Sequence, residues 1–277
     1  MQYRDILYRV EDPVAIITMN RPERLNAFTR TMLAEIRHAV AAAEADPRVV
    51  GIILTGAGRG FCAGMDMAAL DEISASASLD GAEDPALAAT PGDAAMGADF
   101  SIAYTYLLAV RKPVIAAING PCAGLGFCFA VLSDLRFVER QAKFSTAFAG
   151  RGLVAEHGVS WLLPRLIGTS RALDILWSAR RFDGEEAEKM GLADRLCETG
   201  GALEAAREYI VNLSRTVSPA SMMIIKQQVY RHLMMTLGPA MEETNRLMEE
   251  SLGRPDFREG VRSFLEQREP AFKRVSL

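Results

Sequence analysis

Two segments of this chain repeat one design, in which an apolar strand runs into a glycine-rich turn that at once opens a helix. They are IILTGAGRGFCAGMDM (52–67) and IAAINGPCAGLGFCFA (115–130). Apolar runs of this kind belong in the buried sheet of an α/β fold. Amides at the start of a helix lack intrahelical acceptors and sit at the positive end of its dipole, and glycine lets a ligand approach the backbone closely. Two such turns facing each other place two amides on one oxygen, an oxyanion hole. Neither turn has the Gly-x-Gly-x-x-Gly of a dinucleotide fold or the Gly-Lys-Ser/Thr of a phosphate loop, and no Gly-x-Ser-x-Gly elbow occurs.

The rest of the chain fits that frame. ILYRV and VAIITM read as strands around the turn Glu11-Asp12-Pro13. Thr29 begins a helix to about Ala45, with Met32, Leu33, Ile36 and Val40 at helical spacing, and Asp46-Pro47 stops it. VVGIILTG and PVIAAING are buried strands, GLGFCFAVLSD is a core helix and LRFVE a further strand. Between them, residues 74–99 are rich in Ala, Ser, Gly, Asp and Pro and read as a mobile insertion, either a solvated loop or a lid. A helix over 98–111 follows it. Beyond Leu162 the pattern is mainly helical, with helices expected at 202–217, 219–237, 239–252 and 256–267. The reading is an α/β core over 1–200 and a helical region over 201–277.

Composition excludes several classes. A net charge of −4 and a pI near 5.6 give no general attraction to nucleic acid. Cys62, Cys122, Cys128 and Cys197 lack CxxC spacing and histidine partners, so reduced thiols are expected rather than disulfides or zinc. The first residues carry scattered charges, unlike a signal peptide, and no stretch is long and apolar enough to span a bilayer. A soluble, cytoplasmic protein is expected.

Arg21-Pro22 with Leu25-Asn26-Ala27, then GRGFCAGMDM, then KPVIAAINGPCAGLG with Asp134, and finally FREGVRSFLEQREPAFK (257–273), resemble the crotonase superfamily of enoyl-CoA hydratases and isomerases over nearly the whole chain. The resemblance implies an α/β spiral of ββα units with a C-terminal helical trimerisation region, and a homotrimer or dimer of trimers. It also implies an acyl-CoA thioester substrate, no metal and no tightly bound cofactor, CoA being part of the substrate. Carried over by motif, Ala63 and Leu125 supply the two oxyanion amides. Arg24, Leu25, Ala27, Ala63, Met65, Asp66 and Met67 line the path of adenine and pantetheine. Phe264 and Lys273 reach CoA, often that of a neighbouring subunit, although a packing aromatic and a solvated tail charge are the plain alternatives.

Hydratases that resemble this chain use two glutamates, and those positions here hold Cys128 and Phe148. Glu156, in GRGLVAEHGVSWLLPRL, matches instead the single acid of the isomerases that shift a 3-enoyl double bond to the 2-position. One base suffices there, because it removes the C2 proton and returns it at C4. An apolar surround of Phe148, Leu153 and Trp161 is expected to raise its pKa. The competing readings are a hydratase or hydrolase in which Glu156 activates water, helped by a group such as His157, and a non-catalytic acyl-CoA-binding homologue. By itself, Glu156 also fits a carboxylate capping the helix that begins near Gly158. His157 reads as a structural or supporting histidine, His38 and His232 as ordinary helix residues, and Cys128 as a core thiol.

Overall fold

The hairpin comes first: Ile6–Glu11 (β1) pairs antiparallel with Val14–Met19 (β2). The structure, a computed structural model, describes residues 2–76 and 84–275. Thr29 caps the helix Arg30–Ala45 (α1), its hydroxyl accepting the Met32 amide. Next come the strand Gly51–Gly56 (β3) and the helix Met67–Ser76 (α2), then a short helix Tyr106–Ala109 (α3). Val114–Ile118 (β4), Cys122–Ala123 (β5) and the helix Leu125–Leu132 (α4) form the second glycine-turn unit. Leu135–Glu139 (β6) and Lys143–Ser145 (β7) follow, then the helices Val159–Ile167 (α5) and Thr169–Ser178 (α6). After Phe182–Asp183 (β8), Gly184–Met190 (α7) and Arg195–Cys197 (β9), the chain is helical: Ala202–Thr216 (α8), Pro219–His232 (α9), Leu237–Leu252 (α10) and Pro255–Leu265 (α11).

One sheet runs β1-β2-β3-β4-β6-β9, parallel beyond the first hairpin, and β5-β7-β8 form a small second sheet. Three turns of the spiral follow one plan, a strand of the first sheet, then a short strand or bridge, then a helix: β3, the Cys62 bridge and α2; β4, β5 and α4; β6, β7 and α5. The large sheet is covered on both faces. Ile52, Leu54, Val114 and Ala116 face α1 and α4. Ile53, Ile115 and Ala117 face Ala202, Ala206 and Ile210 of α8. That two-sided burial is why β3 and β4 read as continuous apolar runs. Every residue of α4 is buried. Asp134 fastens α9 to the core, accepting the Val114 amide at 2.7 Å, Lys226 Nζ at 2.7 Å and Tyr230 Oη at 2.9 Å.

The expected mobile insertion divides. Residues 77–83 lie outside the described residues. Residues 84–99 are a succession of tight turns pinned to the body, with Leu87 and Met96 buried, as is the adjoining Phe100. The Gly92 amide donates to Glu44 Oε2 at 2.7 Å, and Gln227 Nε2 donates to Asp93 Oδ2 at 2.7 Å. The helix expected over 98–111 is broken. Thr105 Oγ1 donates to the carbonyls of Asp99 and Ile102, and Ala103 takes a positive φ of 45°, so side-chain bonding replaces the helical ladder. Helix α10 starts two residues before Pro239, which is tolerated in its first turn.

Candidate active site

The two glycine-rich turns meet. Cys62 pairs with Cys122 as a parallel bridge, the Cys62 amide donating to the Pro121 carbonyl and the Ala123 amide to the Cys62 carbonyl. Their approach depends on missing side chains. A Cβ on Gly126 would lie 2.4 Å from the Cys62 carbonyl oxygen, and one on Gly64 would lie 3.1 Å from the Ala123 oxygen and 3.6 Å from the Leu125 nitrogen. Buried Asn26 holds the first turn from beneath, donating to the Ala57 and Gly60 carbonyls and accepting the Arg21 amide. Arg21 Nη1 joins the Ala27 carbonyl to Asp66 Oδ2, at 2.7 and 2.9 Å. That ion pair holds the Asp66 carboxyl below its usual range.

One expected donor is different. The Ala63 amide is already engaged, donating to the Leu25 carbonyl at 3.0 Å. The Phe28 amide donates to the Gly64 carbonyl and the Asp66 amide to the Phe28 carbonyl, so along this extended stretch the intervening Met65 amide faces the other way. Among the described residues the amides of Met65 and Leu125 have no hydrogen-bond acceptor. Leu125 opens α4, where an amide has no intrahelical partner. The free pair is therefore Met65 and Leu125.

Both line a cavity of about 320 Å³ with a mainly apolar wall, including Leu33 of α1, Leu70 of α2, Tyr104, Phe148 and Leu153. Glu156 lies on that wall with Phe148 and Leu153, but Trp161 is turned away, its ring beneath the Arg165 guanidinium at 4.2 Å. The Glu156 carboxylate does not cap α5. Its backbone carbonyl accepts the Val159 amide, and the helix has no side-chain cap. Burial raises the Glu156 pKa above 4.5. His157, read from sequence as a supporting residue, lines the same cavity. Cys128 is fully buried and burial pushes its thiol well up, consistent with a core role.

A second cavity of about 700 Å³ shares Ala63, Ala147 and Arg151 with the first and is bordered by Leu25, Lys143, Arg181 and Phe182. Of the residues carried over by motif, Leu25 and Ala63 reach it, while Arg24 is exposed beside them and Met67 is 69% exposed. Ala27 is buried in the loop. Phe264 is 83% exposed on α11 and Lys273 is exposed near the chain end, and neither borders either cavity within this chain. Among the described residues no group of three or more His, Cys, Asp or Glu side chains is placed to hold a metal, and no helix is long and apolar enough to cross a membrane.

The enoyl-CoA hydratase/isomerase family model matches residues 9–275. The chain is 33% identical to a 1,2-epoxyphenylacetyl-CoA isomerase of Escherichia coli, over 96% of this chain and 97% of that protein. It is 32% identical to a probable enoyl-CoA hydratase of Mycobacterium leprae, over 98% and 99% of the two chains. A crystal structure of a putative enoyl-CoA hydratase/isomerase family protein from Hyphomonas neptunium superposes with a TM-score of 0.83 at 33% identity, covering 98% of each chain. Two interlocked glycine turns, a spiral of ββα units and this likeness along the full length lead to one conclusion: the chain belongs to the enoyl-CoA hydratase/isomerase family and has the crotonase fold.

Proposed function

We propose that the protein isomerises a 3-enoyl-CoA to the 2-enoyl-CoA, with Glu156 as the single acid and base. The observation that carries this reading is one cavity holding two unengaged amides, Met65 and Leu125, together with a carboxylate that has no direct hydrogen-bond partner among the described residues. The thioester oxygen sits between the amides, which stabilise the charge that forms there when the C2 proton leaves. Each donor is worth roughly 10²–10³ in rate. Glu156 takes the proton and returns it at C4, so the positions held by Cys128 and Phe148 need no carboxylate. Burial in the apolar wall raises the carboxyl pKa toward the working pH, which suits a group that must both accept and release a proton.

The nucleotide and pantetheine arm is assigned to the second cavity, where Arg151 and Arg181 offer positive charge to phosphate and Lys143 stands paired with Asp183 at 3.4 Å. Leu25 and Ala63 line it, and Arg24, Asp66 and Met67, close to them in sequence, are further contacts for that arm. The apolar side chains exposed on α9 to α11, among them Ile225, Met241, Phe257 and Phe264, support assembly as a homotrimer or dimer of trimers, in which Phe264 and Lys273 reach a neighbour's CoA.

Conjugation gives the test. A 3-enoyl-CoA should gain the absorbance of a conjugated 2-enoyl thioester, and Glu156→Gln should abolish the gain. Loss of that absorbance from a 2-enoyl-CoA in water would establish a hydratase instead. Binding without turnover across a panel of chain lengths would leave an acyl-CoA-binding homologue.

A further inference from the structure

Glu156 does not face the cavity alone. His157 takes a positive φ of 51° and is followed by Gly158 at 83°. Successive side chains usually diverge. Here the left-handed turn brings both onto one wall, a conformation histidine tolerates better than most residues. The imidazole is fixed edge-on against Tyr104, centroids 4.8 Å apart at 73°, and Tyr104 itself packs on buried Phe129. Its Nε2 stands 3.9 Å from Glu156 Oε2, just beyond hydrogen-bond contact.

We propose that His157 is a second proton-handling group, sharing with Glu156 the proton taken from substrate. This rests on the isomerase reading. The C2–H bond breaks, its electrons pass into the thioester enolate and the proton goes to Glu156. The Glu156 O–H then breaks and the proton moves to the neutral imidazole, giving imidazolium and carboxylate. It returns by the same route, and Glu156 delivers it to C4. Burial raises the carboxyl above 4.5 and lowers the imidazole below 6.5, so the proton affinities of the two sites are drawn toward each other. An imidazolium whose protons exchange with water scrambles the abstracted proton with solvent before it is returned.

Isotope partition tests this. In ²H₂O, the wild-type enzyme should place mostly solvent deuterium at C4 of the 2-enoyl product. His157→Phe keeps a ring against Tyr104 but carries no proton. It should at least halve the deuterium incorporated while kcat falls roughly tenfold. His157→Asn, which tolerates the left-handed turn but is no base, should give the same partition and guards against misfolding of the Phe variant. Equal partition in wild type and both variants overturns the proposal. Absence of 2-enoyl product from wild type would instead overturn the isomerase reading.

Discussion

Replacing Gly126 by alanine tests the proposed oxyanion hole most directly. The new Cβ would lie 2.4 Å from the Cys62 carbonyl oxygen and 2.8 Å from its Cβ, whereas ordinary contact begins at 3.4 Å. Both neighbours are held in the turn, so the start of α4 must move by about 1 Å, the difference between those distances. Leu125 is the preceding residue and its amide moves too. Misplacing a catalytic group by that much costs about 10²-fold in rate, or roughly 2.7 kcal/mol of transition-state stabilisation. Overpacking should cost about 1–3 kcal/mol of stability. The assay is kcat on a 3-enoyl-CoA alongside thermal melting, with Gly238→Ala as control, since nothing lies within 4 Å of that position. A folded Gly126→Ala enzyme with kcat within twofold of wild type would refute the claim that these amides carry the chemistry.

Three further outcomes are expected. Glu156→Gln should lower kcat by roughly 10²–10⁴-fold with little change in melting temperature, because its carboxylate makes no direct hydrogen bond among the described residues; a loss below fivefold would remove it from the mechanism. The kcat/KM profile should have an acid limb above pH 4.5, because Glu156 must be ionised to act as base and burial raises its pKa. The stability effect has the opposite sign, since burial favours the protonated form. It is fully present below about pH 4.5 and is lost as pH rises through the raised folded value. A limb that remains unmoved in Glu156→Gln would belong to another group. Asn26→Ala should cost about 3 kcal/mol in denaturant unfolding, leaving the Ala57 and Gly60 carbonyls and the Arg21 amide without their partner; a cost under 1 kcal/mol would show that the turn is held by other means.

Much of this was legible in the residues. Apolar runs with punctuating turns located the sheet, Thr29 and Asp46-Pro47 bracketed α1, and the paired glycine segments indicated that the two turns face each other. Sequence did not reveal which amide of FCAGMD is free. That depends on the pairing of Gly64 and Asp66 with Phe28, a tertiary contact that puts Met65 and not Ala63 toward the cavity. Nor did it reveal the left-handed turn at His157, because histidine occupies both ordinary and left-handed backbone. The insertion 74–99 looked unanchored from composition because much of what holds its part 84–99 lies elsewhere in the chain, including Glu44 and Gln227 on distant helices and the Ala109 carbonyl that accepts the Asp93 amide.

The contact between Gly126 and the Cys62 carbonyl makes the two turns one rigid clamp. Its gap is set by the Cys62 carbonyl and Cβ against a residue that has no side chain. Substrate preference can then be retuned at lining side chains that lie outside this contact, such as Leu33, Leu70 and Leu153, while the two turns keep their spacing.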